Sequence, residues 1–277
     1  MTIPTVSAAG VEIPALGFGT WQLTGDTCRR LVGAALRLGY RHIDTAAIYG
    51  NEREVGEAIG ASGVPREEVF LTTKIWNDAH RDGELQNAAE ASLRRLGVDH
   101  VDLLLLHWPV PEVPLAESLD ALNEVLERGW TRSIGVSNFT APLISEAVEA
   151  SRAPLATNQL EYHPYLSQKT LLGHLRRDGI SLTAYSPLAH GRLLDDAALA
   201  AIGVRHGKSV GQVALRWLVQ QEGVIAIPKT GSDARAAENL SIFDFSLSEE
   251  EMASVADLAR PDGRVIDPDW SPQWDPD

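Results

Sequence analysis

Residues 39–52 read GYRHIDTAAIYGNE, and this stretch decides the predicted fold. A short run before Asp44 has the pattern of a buried strand that ends at a polar residue. Tyr49 follows five residues later, in what should be the loop after the strand. The segment before this strand carries apolar residues at spacings of three and four, which is typical of a helix face: Cys28, Leu31, Val32, Ala35 and Leu36. The stretch is therefore predicted to be one strand in an alternation of helices and strands.

The same alternation extends along the chain in both directions. Eight short runs predict strands, at residues 16–20, 42–45, 69–74, 101–108, 133–137, 156–160, 181–187 and 224–229. Each is followed by a helical segment, as a parallel (β/α)8 barrel requires. The run Leu103–Leu106 is apolar at successive positions, as expected for a strand that is buried on both faces. An open, doubly wound sheet would show the same alternation, and periodicity does not separate the two folds.

Three of the predicted helices begin with the pattern of a capping box, in which Glu or Gln stands three residues after the capping residue. The pairs are Asn51 with Glu54, Ser209 with Gln212, and Ser248 with Glu251. We expect the first side chain of each pair to accept a hydrogen bond from the backbone of its own helix.

The domain organisation is predicted to be simple. No Gly/Ser-rich linker or change of composition divides the chain, so we expect one domain over residues 1–277. Residues 5–14, with Ala9-Gly10 in the middle, predict a small hairpin that plugs the N-terminal end of the barrel. The tail at residues 261–277 has no periodicity and is expected to be an ordered coil or a lid. Its tryptophans, Trp270 and Trp274, either fold over the site or anchor the terminus.

Charge and cysteine content exclude several classes of protein. The 38 acidic and 24 basic residues give a net charge of −14, which argues against nucleic-acid binding. The apolar runs are far shorter than the roughly 20 residues of a membrane span. The single cysteine, Cys28, excludes an internal disulfide and is typical of a reducing compartment. No secretory signal is visible, so we expect a cytoplasmic protein, and we expect it to be a monomer.

Ionisable side chains stand at the ends of three consecutive predicted strands. Asp44 ends the second strand, Lys74 ends the third, and His107 follows the run of leucines. A Lys or His directly after buried apolar residues must be paired or face a cavity. Active sites of such barrels lie at the carboxyl ends of the strands, so these groups should converge there, with Tyr49 within reach on its loop.

Residues 39–52 also resemble the signature of the aldo-keto reductase family. Further segments that are similar to the family follow in the family's order: TTK at 72–74, LHWP at 106–109, IGVSNF at 134–139, NQ at 158–159, YSPL at 185–188 and IPK at 227–229. The likeness covers nearly the whole chain and is greatest to the bacterial 2,5-diketo-D-gluconate and methylglyoxal reductases. It implies an α/β fold of the (β/α)8 TIM barrel type.

The resemblance assigns a catalytic role to Asp44, Tyr49, Lys74 and His107. In the family a nicotinamide hydride attacks the carbonyl carbon of an aldehyde or ketone, and a tyrosine, here Tyr49, protonates the oxygen. A phenol with a pKa of about 10 is a weak acid at neutral pH, so we expect Lys74 to lower the pKa of Tyr49. Asp44 would hold Lys74, and His107 would orient the carbonyl oxygen by a hydrogen bond.

The resemblance implies NADPH as the cofactor in preference to NADH, and leaves open the use of both. No G-x-G-x-x-G segment lies between a strand and a helix, so the sequence does not support a Rossmann site. The loop PKTGSDAR at residues 228–235 instead follows the last strand and opens a helix, where barrels commonly bind phosphate. The residues assigned to the cofactor are Gly19, Thr20, Asp44, Ser137, Asn138, Gln159, Tyr185, Ser186, Leu188, Lys229, Thr230, Ser232, Arg235, Glu238 and Asn239.

Substrate contacts are expected just beyond the strand ends, where apolar side chains would surround a small carbonyl compound. The residues are Trp21, Ile48, Tyr49, Trp76, His107 and Trp108. The expected substrates are aldehydes and ketones, including dicarbonyls and keto sugar acids. The other histidines show no metal-ligand spacing, so no metal site is expected. The alternative function is an NADPH-binding sensor or regulatory barrel, and the presence of all four catalytic residue types argues against it.

Overall fold

The computed structural model describes residues 3–276 and begins with an antiparallel hairpin. Strands β1 (Thr5–Ala8) and β2 (Val11–Pro14) are joined by a two-residue turn. Both turn residues have a positive φ, 49° at Ala9 and 77° at Gly10, as in a type I′ turn. Ile13 of β2 is fully buried and packs against residues of the barrel interior: Leu103, Leu105, Ala156 and Ile225. The hairpin therefore seals one end of the barrel.

Eight parallel strands form the central sheet. They are β3 (Phe18–Gly19), β4 (His42–Asp44), β5 (Phe70–Ile75), β6 (Leu103–Leu106), β7 (Ile134–Ser137), β8 (Leu155–Glu161), β9 (Ser181–Tyr185) and β10 (Val224–Ala226). Strands that are neighbours in the sheet are also neighbours in the sequence. The backbone N–H of Gly17 donates to Ala226 at 2.9 Å, so the first strand region also contacts the last. The predicted (β/α)8 barrel is confirmed, and the open doubly wound sheet is excluded.

Helices alternate with the strands and turn one apolar face toward them. They are α1 (Gly25–Leu38), α2 (Glu52–Ala61), α3 (Glu84–Leu96), α4 (Leu115–Glu127), α5 (Ala141–Ala150), α6 (Lys169–Arg177), α7 (Ala197–His206), α8 (Val210–Val219), α9 (Asp233–Leu240) and α10 (Glu249–Ala256). The predicted apolar face of α1 is buried: Cys28, Leu31, Val32, Ala35 and Leu36. Within residues 3–276, no helix has the length and apolar character needed to cross a membrane.

Two of the three predicted capping boxes are confirmed. The hydroxyl of Ser209 accepts from the backbone N–H of Gln212, and that of Ser248 accepts from the backbone N–H of Glu251. The second residue of each pair returns the bond from its side chain to the N–H of the serine. These two boxes satisfy donors that would otherwise lack a partner at the starts of α8 and α10.

The predicted cap at Asn51 is wrong, because its side chain makes no hydrogen bond to the first turn of α2. Its amide instead donates to the backbone oxygens of Thr20 and Leu23, both at 2.9 Å. Its carbonyl oxygen accepts from the hydroxyl of Thr45 at 2.8 Å. Asn51 therefore ties the loop after β3 to the loop after β4, and both loops border the site described below.

Helix α2 lies against the C-terminal end of α3 at Gly56. A Cβ atom on Gly56 would stand 1.9 Å from the carbonyl oxygen of Leu96, which is part of the α3 backbone. Gly60 lies in the same helix, but nothing lies within 4 Å of the corresponding position there. Only Gly56 is required by the close approach of the two helices.

We predict that Gly56→Ala lowers the free energy of unfolding by about 1–3 kcal/mol, because the added methyl group forces two packed helices apart. Gly60→Ala is the matched control and should raise that free energy by up to about 1 kcal/mol, because Ala favours a helix more than Gly does. Urea unfolding followed by circular dichroism measures both values. Equal effects of the two substitutions would contradict the packing role of Gly56.

Candidate active site

A cavity of about 1370 Å³ lies at the carboxyl ends of the barrel strands. Most residues that the sequence predicts for catalysis, cofactor and substrate line it: Gly19, Thr20, Trp21, Asp44, Ile48, Tyr49, Trp76, His107, Trp108, Asn138, Gln159, Tyr185, Ser186, Leu188, Lys229, Thr230, Arg235, Glu238 and Asn239. Lys74, Ser137 and Ser232 are not among the lining residues. The strand ends therefore converge on one cavity, and these three side chains have other positions.

Lys74 and Asp44 form a buried ion pair at the wall of the cavity. Lys74 is fully buried, and its Nζ donates to Asp44 Oδ1 at 2.6 Å and to the backbone oxygen of Thr45 at 2.8 Å. The other carboxylate oxygen of Asp44 accepts from Gln159 Nε2 at 2.8 Å. Burial lowers the pKa of Lys74, and the negative charge of Asp44 opposes that effect. The ammonium group is thus compensated by contacts inside the barrel and not by water.

Tyr49 ends the short 3-10 helix Ala47–Tyr49 and points its hydroxyl toward this pair. The hydroxyl lies 3.5 Å from Lys74 Nζ, and the ammonium group is 5.1 Å from the centre of the ring. The net shift of the Tyr49 pKa is opposite to the expected one. Burial, together with the negative charge of Asp44, raises this pKa well above its usual value. Tyr49 therefore stays protonated at neutral pH and has a proton to donate.

His107 follows β6 and packs edge-on against Tyr49, with the ring centres 5.9 Å apart. Burial, with the positive charges of Lys74 and His80, lowers the pKa of His107 well below its usual value. Its Nδ1 is buried and has no hydrogen-bond partner within residues 3–276. A neutral imidazole can donate one N–H to a carbonyl oxygen without placing a second cation beside Lys74.

A connected set of polar side chains forms another part of the wall. The Tyr185 hydroxyl donates to Asn138 Oδ1 at 2.8 Å, and Asn138 Nδ2 donates to the backbone oxygen of His107 at 3.0 Å. The hydroxyl of Ser137, predicted to bind the cofactor, donates to the backbone oxygen of Gln159 at 2.7 Å. These bonds hold the Asn138 amide in place and leave the Tyr185 ring as a flat lining surface.

The loop after β10 and the start of α9 form a cationic part of the cavity. Lys229 and Arg235 line it, are exposed, and form no ion pair with any acidic side chain within residues 3–276. Asp233, in the same segment, is already paired with Arg30. Ser232, predicted to contact the cofactor, has its hydroxyl engaged in the N-terminal cap of α9, where it accepts from the backbone of Arg235. Two unpaired cations beside a helix N-terminus favour a bound anion.

Aromatic side chains wall the part of the cavity next to His107. The rings of Trp76 and His107 are 5.1 Å apart, and Trp270 contacts both Trp76 at 6.1 Å and Trp108 at 4.9 Å between ring centres. Of the two alternatives for the tail, Trp270 folds over the site and lines the cavity. Trp274 is not a lining residue, and its ring centre lies 6.1 Å from that of Trp108.

Two segments without regular periodicity also contribute lining residues that no sequence pattern marks as functional. The segment after β9 contributes His190, whose ring stacks on Trp21 with the centres 5.5 Å apart and the planes at 27°. The tail contributes Trp270 and four residues that precede it: Val265, Ile266, Asp267 and Pro268. The high content of Trp and Pro in the tail is the one sequence feature that could have indicated these lining residues.

We predict that acidification destabilises the fold through His107, whose pKa is depressed by burial. Below about pH 6.5 the unfolded chain takes up a proton on this histidine and the folded chain does not, so the free energy of unfolding falls as the pH decreases. The loss from His107 should approach about 1.4 kcal/mol per pH unit.

Urea unfolding at neutral and at mildly acidic pH measures this loss. His107→Asn should reduce it, because asparagine does not titrate, while His174→Asn on α6 is the control and should leave it unchanged. The same pH dependence in the wild-type protein and in His107→Asn would contradict the prediction.

Comparison with known proteins identifies the group to which this chain belongs. The sequence profile of the Aldo/keto reductase family matches residues 15–260. The chain is 41% identical over 268 residues to the methylglyoxal reductase DkgB of Escherichia coli O157:H7, covering 96% of this chain and 100% of the relative. A crystal structure provisionally named a 2,5-diketo-D-gluconic acid reductase B is 54% identical, with a TM-score of 0.98 over 99% of this chain and 98% of that chain. A Bombyx mori aldo-keto reductase in complex with NADP is 37% identical, with a TM-score of 0.89 over 96% of each chain. As its sequence predicts, the chain belongs to the aldo-keto reductase family.

Proposed function

We propose that this chain reduces small aldehydes and ketones to alcohols with NADPH, and that Tyr49 donates the proton. One observation carries the proposal: the Tyr49 hydroxyl lies 3.5 Å from Lys74 and beside neutral His107 on the wall of one cavity. Carbonyl reduction is the reaction class of the family, and the similar methylglyoxal reductase and the similar NADP complex support the choice of substrate and cofactor.

The residues of the cavity suit NADPH. The volume of the cavity, about 1370 Å³, is larger than the roughly 300–1,000 Å³ typical of small-ligand sites, so the cavity has room for a dinucleotide and a small substrate. Lys229 and Arg235 would hold the 2′-phosphate, which distinguishes NADPH from NADH. Tyr185 would stack on the nicotinamide, and Asn138 and Gln159 would bond its carboxamide.

We propose a step in carbonyl reduction for each of the four residues Asp44, Tyr49, Lys74 and His107. NADPH, when bound, supplies the hydride that attacks the carbonyl carbon. Tyr49 donates its phenolic proton to the carbonyl oxygen, and its raised pKa retains that proton until the oxygen has gained negative charge. Lys74 then stabilises the phenolate from 3.5 Å, and Asp44 holds the ammonium group in place. His107 orients the carbonyl oxygen by a hydrogen bond.

A sensor or regulatory protein would also bind NADPH, but nothing in the site favours that alternative. The two functions are separated by following NADPH absorbance with methylglyoxal, 2,5-diketo-D-gluconate and a panel of aldehydes. We expect oxidation of NADPH with at least one of these carbonyl compounds. Tight NADPH binding without oxidation by any of them would contradict the proposed function.

We further propose that the enzyme acts as a monomer in the cytoplasm. One chain supplies all the residues assigned to catalysis and cofactor, so a second copy is not needed to complete the cavity. Cys28 is buried and free, as is typical of proteins in a reducing compartment.

Within residues 3–276, no three His, Cys, Asp or Glu side chains form a group that could hold a metal ion.

We predict that Tyr49→Phe lowers turnover by a factor of about 10²–10⁴, because it removes the proton donor and keeps the ring. NADPH affinity should change little, since the hydroxyl belongs to neither the phosphate part nor the carboxamide part of the site. Steady-state NADPH oxidation and NADPH fluorescence titration measure the two effects. Tyr40→Phe, which removes a buried hydroxyl bonded to Ala236, is the control and should retain most turnover. Unchanged turnover in Tyr49→Phe would exclude its role as the proton donor.

We predict that Arg235→Ala weakens NADPH binding about tenfold or more, because a charge-assisted contact to the 2′-phosphate is lost. NADH binding should change much less, since NADH has no 2′-phosphate. Arg128→Ala is the control, because it removes a surface arginine that pairs with Glu124 at the end of α4. Fluorescence titration with both cofactors gives the dissociation constants, and equal losses for NADPH and NADH would contradict 2′-phosphate recognition.

A further inference from the structure

The last part of the chain forms a strap, residues 260–276, that contains no helix or strand. Val265, Ile266 and Trp270 of the strap line the cavity. A segment without backbone ladders of its own must be held in place by contacts with the rest of the protein. The position of these lining residues therefore depends on what anchors the strap.

The principal anchor is Glu161, the last residue of β8. Its carboxylate is fully buried and accepts the backbone N–H of Val265 at 2.7 Å through Oε1 and that of Ile266 at 2.8 Å through Oε2. The Nε2 atom of His163, also fully buried, lies 2.8 Å from Oε1. A buried carboxylate is costly unless donors surround it, and the strap supplies two of these three donors. Glu161 and the strap therefore stabilise each other.

Further contacts fix the strap on both sides of Trp270. Before it, Gly263 lies so close to the loop after β8 that a Cβ atom would stand 1.7 Å from the backbone oxygen of Tyr165. After it, Asp275 Oδ2 accepts the backbone N–H of Ala141, the first residue of α5, at 2.9 Å. The strap is thus held at both ends, and the segment between crosses the mouth of the cavity.

Trp270 lies in this middle segment and is held there mainly by the strap. Its side chain contacts Trp76 and Trp108 edge-on, but the residue is still 51% exposed. Asp267 supports the turn around it by accepting from the Ser271 hydroxyl at 2.7 Å and from Trp274 Nε1 at 2.8 Å. Two edge contacts on a half-exposed ring do not by themselves fix its position, so the backbone of the strap does.

We infer that Glu161 is a positioning residue for the proposed carbonyl reduction: it holds the strap so that Trp270 closes the outer side of the substrate site. The inference rests on the proposed function. Glu161 itself touches neither substrate nor the proton donor. Loosening the strap therefore weakens the binding of carbonyl compounds and leaves proton donation by Tyr49 intact. The binding of an aromatic aldehyde weakens more than the binding of methylglyoxal, because the displaced wall is an indole ring.

The test compares Glu161→Gln, Trp270→Ala and the double variant in the full chain. Glutamine keeps the size of the side chain but replaces one accepting oxygen by an NH2 group, so a strap N–H loses its partner. Steady-state NADPH oxidation gives kcat and KM for benzaldehyde and for methylglyoxal. NADPH fluorescence titration gives the Kd of the cofactor.

Each single variant should raise KM for benzaldehyde about tenfold, with kcat changed less than about twofold and the NADPH Kd unchanged. The double variant should show the same increase of about tenfold, because both substitutions remove the same wall. A KM for benzaldehyde that rises about 100-fold in the double variant, as the product of the two single effects, would overturn the inference. Glu161 would then act independently of Trp270. Unchanged KM in Glu161→Gln, or a parallel fall in kcat and NADPH affinity, would also overturn it.

A second variant acts from the side of the strap. Val265→Pro removes one N–H that Glu161 accepts and leaves β8 intact, so it decides the matter if Glu161→Gln does not fold. In either variant, hydrogen exchange of peptides from residues 260–276 should be at least about tenfold faster, with barrel peptides unchanged. Equal exchange rates of these peptides in the variants and in the wild-type protein would overturn the anchoring role of Glu161. If the wild-type protein fails to oxidise NADPH, the proposed function is contradicted. If the wild-type protein turns over and the variants have the same kinetics as the wild type, only the role of Glu161 is contradicted.

Discussion

The structure depends above all on one buried ion pair, Lys74 with Asp44. A lysine inside a parallel barrel has lost its hydration, and only a bonded carboxylate makes its charge tolerable. Asp44 gives one oxygen to Lys74 of β5 and the other to Gln159 of β8, so one side chain of β4 links three strands. Removing one partner of such a pair typically costs about 3–5 kcal/mol, because the other charge stays buried. The ammonium group also lies beside Tyr49, so stability and the proposed proton transfer depend on the same contact.

The candidate catalytic side chains and the outer wall of the cavity lie on different kinds of structure in this enzyme. Asp44, Lys74 and His107 stand at strand ends and Tyr49 on the short helix that follows one, where the closed sheet holds their atoms precisely. The outer wall comes from irregular segments, the strap with Trp270 and the segment with His190. Irregular segments tolerate sequence change better than strands do.

The strand ends and two of the capping boxes could be predicted, because each rests on residues that are close in the sequence. The predictions that are wrong depend on residues that are far apart in the sequence. Asn51 has the local pattern of a cap, but its amide binds backbone oxygens 28 and 31 residues away. The pKa of Tyr49 was expected to fall because Lys74 was considered alone, whereas burial and Asp44 dominate.

The sequence by itself determined the alternation of strands and helices, the barrel through its motifs, and the residue types that meet at the strand ends. These features are local, because period, caps and strand-end residues are set within one element or its loop. Only the tertiary structure decided which groups share the environment of the Tyr49 proton and what walls the substrate side. Contacts such as Glu161 with Val265 join residues 104 positions apart. Desolvation likewise acts only when the barrel closes, so neither effect is encoded in any short stretch of the chain.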